Sequence, residues 1–382
     1  MRPSFLMEEY AMSSWQVITH TMPDLDALSA TAAVFWICER PQPSDVPTGV
    51  SFWDGANAPP FEHAPHRHNV IVDIGGAHAF DHHHLSQPRS TCAFNLVVEH
   101  FAASPVPTMR QRALAIAPLK PFIHRQDSTG AIFGERDRDR RSIASALRAS
   151  SWQASDDRKT WQCWYPVFAV LFDTVEQHPN TVESMLEWNA IAHAMRQYGV
   201  GDIADETTDA LEQQIALSHA VDENPEILLP HLNTLKVLGD SSVVAYAFDA
   251  TVGAWSPILR DREALARLYP NACVLVFDRT WRARDGRLCT VSLNVGQALT
   301  PAGRAIDIRH VYRFIFNDPH VGHDLHAELA SWYVESWFAG RGSMKRPALR
   351  PAPANFLQET ACAVARAVER LTQSRQPCRI SP

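Results

Sequence analysis

The sequence predicts an α/β fold, with a parallel-sheet N-terminal domain and a smaller α+β C-terminal domain. In the first half, short β-prone runs end in polar residues and give way to helix-like stretches, the pattern of an open parallel sheet with ligands at its carboxyl edge. From about Thr234 the pattern turns to strand-like pieces with hairpin chemistry. At 382 residues the chain also exceeds the size at which a single core stops growing. The expected division is residues 1–200, a helical connector at 201–233, and 234–382.

Trp15–Thr19 reads as the first strand, and the Ala-rich run Asp26–Ile37 after it as a buried helix. The turn between them carries His20, Asp24 and Asp26, and Pro23 fixes φ where the helix begins. Asn69–Asp73 is a second buried strand ending in a carboxylate, and Gly75-Gly76 marks a tight turn after it. Thr91–Ala102, Cys163–Phe172, Val182–Gln197 and Asp205–Val221 read as helices, and Ala113–Phe122 is mostly apolar. The mixed-sign run Glu135–Arg141 is most simply a solvated loop or helix start. Ser242–Phe248, Ala272–Phe277 and Leu288–Leu293 read as strands, with a helix at Asp261–Leu268 and an Asp285-Gly286 turn joining the last two. A Pro-rich stretch beyond Arg346 precedes a helix from about Phe356 to Leu371.

Hydrophobic residues at 46% and charged residues at 20% sit near the globular average, which excludes bulk disorder and fibrous architecture. A formal net charge of -7 argues against a strongly basic nucleic-acid scaffold. Seven scattered cysteines, none in a C-x-x-C pair, fit neither a disulfide framework nor a thiolate zinc site, so a reducing cytoplasm is expected. Neither an export signal nor a membrane span is expected.

The chemistry is concentrated in three short stretches, His20-Thr-Met-Pro-Asp24-Leu-Asp26, Val70-Ile-Val-Asp73 and Asp81-His82-His83-His84. Carboxylates suit hard divalent ions and imidazoles suit first-row transition metals. A mixed set without thiolate therefore points to Mn²⁺, with Mg²⁺ or Co²⁺ as substitutes and zinc less favoured. A two-metal hydrolytic centre needs ions roughly 3.5–4 Å apart, bridged by a carboxylate. The turn can direct His20 and Asp24 at one ion and Asp26 at the other, and Asp73, one strand over, is the natural bridge. Taken singly each has a plainer reading: Asp26 as a helix N-cap, His20 as a core histidine, Asp81–His84 as a polar loop.

In order and spacing these stretches resemble the first three motifs of the DHH phosphoesterase superfamily, which includes RecJ-type exonucleases, nanoRNA-degrading oligoribonucleases, cyclic-dinucleotide phosphodiesterases and family II pyrophosphatases. The resemblance implies that His20 and Asp24 hold one Mn²⁺, that Asp26 and His82 hold a second, and that Asp73 bridges them. It further implies that His83 contacts the substrate phosphate and Asp81 orients His82. A fourth motif supplies one more Asp after a helix; Asp127 is the better placed, with Asp173 as the alternative. The close spacing of Asp73 and Asp81 is also similar to the eukaryote-type relatives described as metal-dependent protein hydrolases or RNA exonucleases.

The second half resembles the DHH-associated domain more weakly. Asn294 stands where that domain has Arg, and Phe338–Arg346 carries Arg341, Gly342, Ser343, Lys345 and Arg346 where it has a Gly-Gly-Gly-His segment. A glycine-rich loop with cations can cradle phosphate through backbone N–H groups and guanidinium contacts, although a basic surface loop has the same composition. The expected activity is Mn²⁺-dependent hydrolysis of phosphodiester bonds in short single-stranded nucleic acid or small nucleotides. A pyrophosphatase is the alternative within enzymes, and a non-catalytic metal-binding regulator the alternative outside them. A homodimer is left open.

Overall fold

The computed structural model describes residues 15–20, 23–53, 68–74, 80–82, 90–150, 157–235, 242–249, 258, 262–282, 288–329, 333–337, 341–345 and 356–373. It is a mixed α/β structure of two compact units, residues 1–212 and 213–382. The division falls inside a 23-residue helix, Gly201–Glu223, within the stretch read as a connector.

The first unit is built on a three-stranded parallel sheet of β1 (Gln16–His20), β2 (Val50–Trp53) and β3 (Asn69–Ile71), in the order β2-β1-β3. Val17 and Ile18 on the central strand are fully buried, and Val72 continues past β3 by donating its N–H to the Ile18 carbonyl at 2.9 Å. All three strands therefore end on one rim, where His20 pairs in register with Trp53 and Asp73 follows Val72. The short strand β2 was not foreseen. It is entered through Gly49, where any Cβ would run into the carbonyl oxygen of Trp15, so the approach of these two strands requires glycine.

Helix α1 (Leu25–Cys38) is buried from Leu25 to Ile37 on every side. That explains its composition: small Ala residues let neighbouring backbones approach, and no polar face is needed. It packs against α2 (Ala93–Ala102), α3 (Pro107–Ile116) and the long helix Asp157–Gln177, with Trp36 edge-on to Phe172 at 5.6 Å. Helix α4 (Lys120–Thr129) ends at Gly130, whose φ of 79° supplies the left-handed C-cap. The charged run 135–141 forms a short helix, α5 (Arg136–Arg140), that is more than a solvated segment. Asp139 accepts the backbone N–H groups of Ile132, Phe133 and Gly134, and Arg138 pairs with Glu183 and Glu187.

The second unit holds a six-stranded mixed sheet in the order β4-β5-β6-β7-β9-β8, from β4 (Asn233–Leu235), β5 (Val243–Asp249), β6 (Val274–Arg282), β7 (Leu288–Gln297), β8 (Tyr333–Trp337) and β9 (Arg341–Lys345). β5 and β6 are parallel, joined through the helix Arg262–Leu268, and β6 and β7 pair antiparallel as the sequence implied. Their apolar runs reflect burial on both faces. Val243, Ala245, Val274 and Val276 pack toward the helices Ile308–Phe316 and Phe356–Gln373, while Val244, Tyr246 and Leu275 join a second cluster with Leu228, Ala264 and Leu265.

One expectation is corrected here. Arg341, Gly342, Ser343 and Lys345 lie in strand β9, not in a loop, between β7 and β8. Ser343–Lys345 are flanked on both sides and commit their backbone groups to the ladder, whereas Arg341 and Gly342 pair with β8 alone. Arg346 lies outside the described residues. Among the described residues no helix is long and apolar enough to cross a membrane.

Candidate metal centre

His20 is delivered by the last position of β1. Four residues on, Asp24 caps α1, its Oδ1 accepting the Ala27 N–H at 3.1 Å. The plainer reading of Asp26 as that cap is thus set aside, because Asp24 fills the role. Asp26 lies in the first turn of α1, fully buried, and its carboxylate spans to the start of α2: Oδ2 accepts from Ala93 N at 2.7 Å and Oδ1 from Phe94 N at 2.9 Å. Two donors at a helix N-terminus fix both oxygens in place.

Asp73 has a φ of 53°, left-handed backbone that a non-glycine residue adopts at a cost of about 1–3 kcal/mol. A parallel bridge between Val72 and Phe80, with the Asp73 N–H donated to the Phe80 carbonyl at 3.1 Å, holds it there. The same bridge brings the following Asp81 and His82 to the rim, both buried.

The carboxylate of Asp73 stands between two imidazoles. Its Oδ2 is 3.6 Å from His20 Nε2, and its Oδ1 is 3.7 Å from His82 Nδ1. His82 Nδ1 is also 3.9 Å from Asp26 Oδ2, and its other nitrogen, Nε2, is 3.6 Å from Asp127 Oδ2 on α4. Two ligand groups result, His20–Asp24–Asp73 and Asp26–Asp73–His82, each with ligand atoms within 4.8 Å of one another, and they share Asp73. Among the described residues no other group of His, Cys, Asp or Glu converges in this way.

The cluster concentrates negative charge that a proton or a cation can neutralise. Burial, then the carboxylates of Asp73, Asp127 and Asp24, push the Asp26 pKa well above the usual carboxylate range, against the opposing hydrogen bond from Phe94. The thiol of the adjacent Cys92 is pushed up as well, by burial and by Asp26. The gaps of 3.6 to 3.9 Å are too wide for hydrogen bonds. They approach the spacing of two ligands on one ion, about 3.0–3.4 Å for bonds of about 2.1 Å. Oxygen and imidazole donors without thiolate fit a hard or borderline divalent ion.

Of the sequence-predicted ligands, His20, Asp24, Asp26, Asp73 and His82 come together in the two groups; Asp127 belongs to neither and stands at the other nitrogen of His82, and Asp81 is buried next to His82 in the chain. His83 lies outside the described residues. Asp173, the alternative fourth-motif residue, serves a clamp at the opposite end of α1. It accepts from Trp36 Nε1 at 3.0 Å and from Arg40 at 3.2 Å, ten residues or about 15 Å along the helix from Asp26. Sequence reasoning missed the start of α2 as the anchor of Asp26, since backbone N–H groups carry no residue signature; the helix start at Thr91-Cys92 was the available signal. No protein-family model matches the chain, and a search of curated proteins finds no significant match.

Proposed function

We propose that the chain is a divalent-metal-dependent phosphoesterase, with manganese as the favoured ion, acting on phosphodiester bonds of short single-stranded nucleic acid or small nucleotides. The observation that carries the reading is the placement of Asp73, whose two oxygens face different imidazoles and belong to both ligand groups. A structural metal site needs one set of ligands; two sets sharing a carboxylate suit two-ion hydrolysis. The motif resemblance to DHH phosphoesterases supports the same reading.

His20, Asp24 and Asp73 would hold one ion, and Asp26, Asp73 and His82 the other, with Asp127 facing His82 from the far side of its ring. Bound there, a pair of divalent ions supplies a water of lowered pKa and neutralises the phosphoryl oxygens. The chain's own work is positional. The α2 N-terminus fixes Asp26, Ala27 fixes Asp24, and the Phe80 bridge fixes Asp73. Burial of Asp26, Asp73 and His82 excludes bulk water from the inner half. The motif resemblance assigns His83, next after His82 in the sequence, to a phosphoryl oxygen.

The test is hydrolysis by the manganese-loaded chain of a labelled oligonucleotide, a cyclic dinucleotide and inorganic pyrophosphate, with Asp73→Asn as control. Cleavage of a phosphodiester that Asp73→Asn abolishes, with the fold retained by circular dichroism, supports the proposal. Activity on pyrophosphate alone makes the chain a pyrophosphatase, and metal binding without any turnover makes it a metal-binding regulator.

A further inference from the structure

We infer that Trp53 is a stacking platform for the planar base of a nucleotide whose phosphoryl group is engaged beside His20, an inference that rests on the proposed metal centre and names the substrate class within it. Strand register places the ring. Trp53, the last residue of β2, pairs with His20, the last residue of β1, and partners in neighbouring parallel strands project to the same face about 4.8 Å apart. Since β1 lies between β2 and β3, Trp53 extends the row Asp73–His20 on its outer side.

Exposure gives the direction of approach. The side chain of His20 is 31% exposed and Asp24 is exposed, whereas that of His82 is 6% exposed and Asp26 is fully buried. A substrate therefore reaches the centre from the His20–Asp24 side, where Trp53 stands. The indole itself is half-buried, and its Nε1–H is shielded from solvent with no acceptor among the described residues. The polar edge of the ring is thus withdrawn from solvent, so whatever part of the indole a ligand meets is carbon. Such a surface binds a planar ring by stacking and is indifferent to inorganic phosphate. The site is accordingly built for a phosphate that carries a base, which separates it from a pyrophosphatase.

The test is calorimetric titration of the full manganese-loaded chain with AMP, ribose 5-phosphate and inorganic phosphate. AMP is expected to bind the parent about tenfold more tightly than ribose 5-phosphate. Trp53→Leu should abolish that difference and leave inorganic phosphate unchanged, and Trp53→Phe should preserve it. Equal affinities of the parent for AMP and ribose 5-phosphate overturn the inference without recourse to any variant. Equal weakening of AMP and inorganic phosphate by Trp53→Leu also overturns it. A parent that binds neither manganese nor inorganic phosphate would instead defeat the metal-centre reading itself.

Discussion

The backbone N–H of Phe94 donates to Oδ1 of Asp26 at 2.9 Å, so a fully buried acid of the centre is held by a helix to which it does not belong. Asp24, two residues earlier, caps its own helix through Ala27 with one oxygen and also belongs to the group with His20 and Asp73. The spacing Asp-x-Asp thereby divides two carboxylates between two ligand groups.

Asp26→Asn preserves shape but removes the charge, and its amide nitrogen cannot accept an N–H from α2. Bound manganese should fall from two ions per chain to one, counted by electron paramagnetic resonance after desalting. Two ions retained in the variant would show that Asp26 is not a ligand.

The two fourth-motif aspartates should respond differently. Asp173 joins Arg40 and Trp36 in a clamp that also includes an Arg40–Glu176 pair, so Asp173→Asn should lower the melting temperature and leave manganese stoichiometry at two. Asp127 faces His82, and Asp127→Asn should weaken the second ion by about 10–100-fold. Manganese titration of both variants checks this; the reverse pattern would reassign the fourth acid.

In the second unit, burial of Asp318 alone would raise its pKa. The His320 N–H at 3.0 Å and the Arg366 Nε at 2.7 Å outweigh burial and hold the carboxyl below its usual value. A depressed folded-state pKa contributes stability that is fully present above the unfolded value of about 3.9 and is lost as pH falls through the folded one. Because Arg366 is about one-third exposed, Arg366→Ala should cost only about 1 kcal/mol at neutral pH. It should also lose less stability than the parent on acidification below about pH 4. Urea unfolding at pH 7 and pH 3 measures both, and parallel losses in the two proteins would refute the assignment.

The elements with strong local signals were legible in the sequence. The Ala-rich run gave α1, the apolar runs gave β1, β3, β5 and β6, and the clustered His and Asp residues named five groups that do converge. What was not legible depends on partners distant in sequence. The run Val50–Trp53 has only four residues and becomes a strand by lying along β1. Arg341–Lys345 has the glycine, serine and cations of a loop, yet β7 and β8 draw it into their ladder. The charges of 135–141 looked solvated because their donors, at 132–134, and their acceptors, Glu183 and Glu187, lie outside the run.

The left-handed backbone at Asp73 limits what evolution or mutagenesis can place there. Asp and Asn tolerate that conformation far better than alanine or a β-branched side chain, and Gly tolerates it best but brings no donor atom. A glutamate would carry its carboxylate one methylene too far to sit between His20 and His82. Loss of function in Asp73→Ala would therefore mix a conformational penalty with a chemical one, and only the isosteric amide isolates the missing charge.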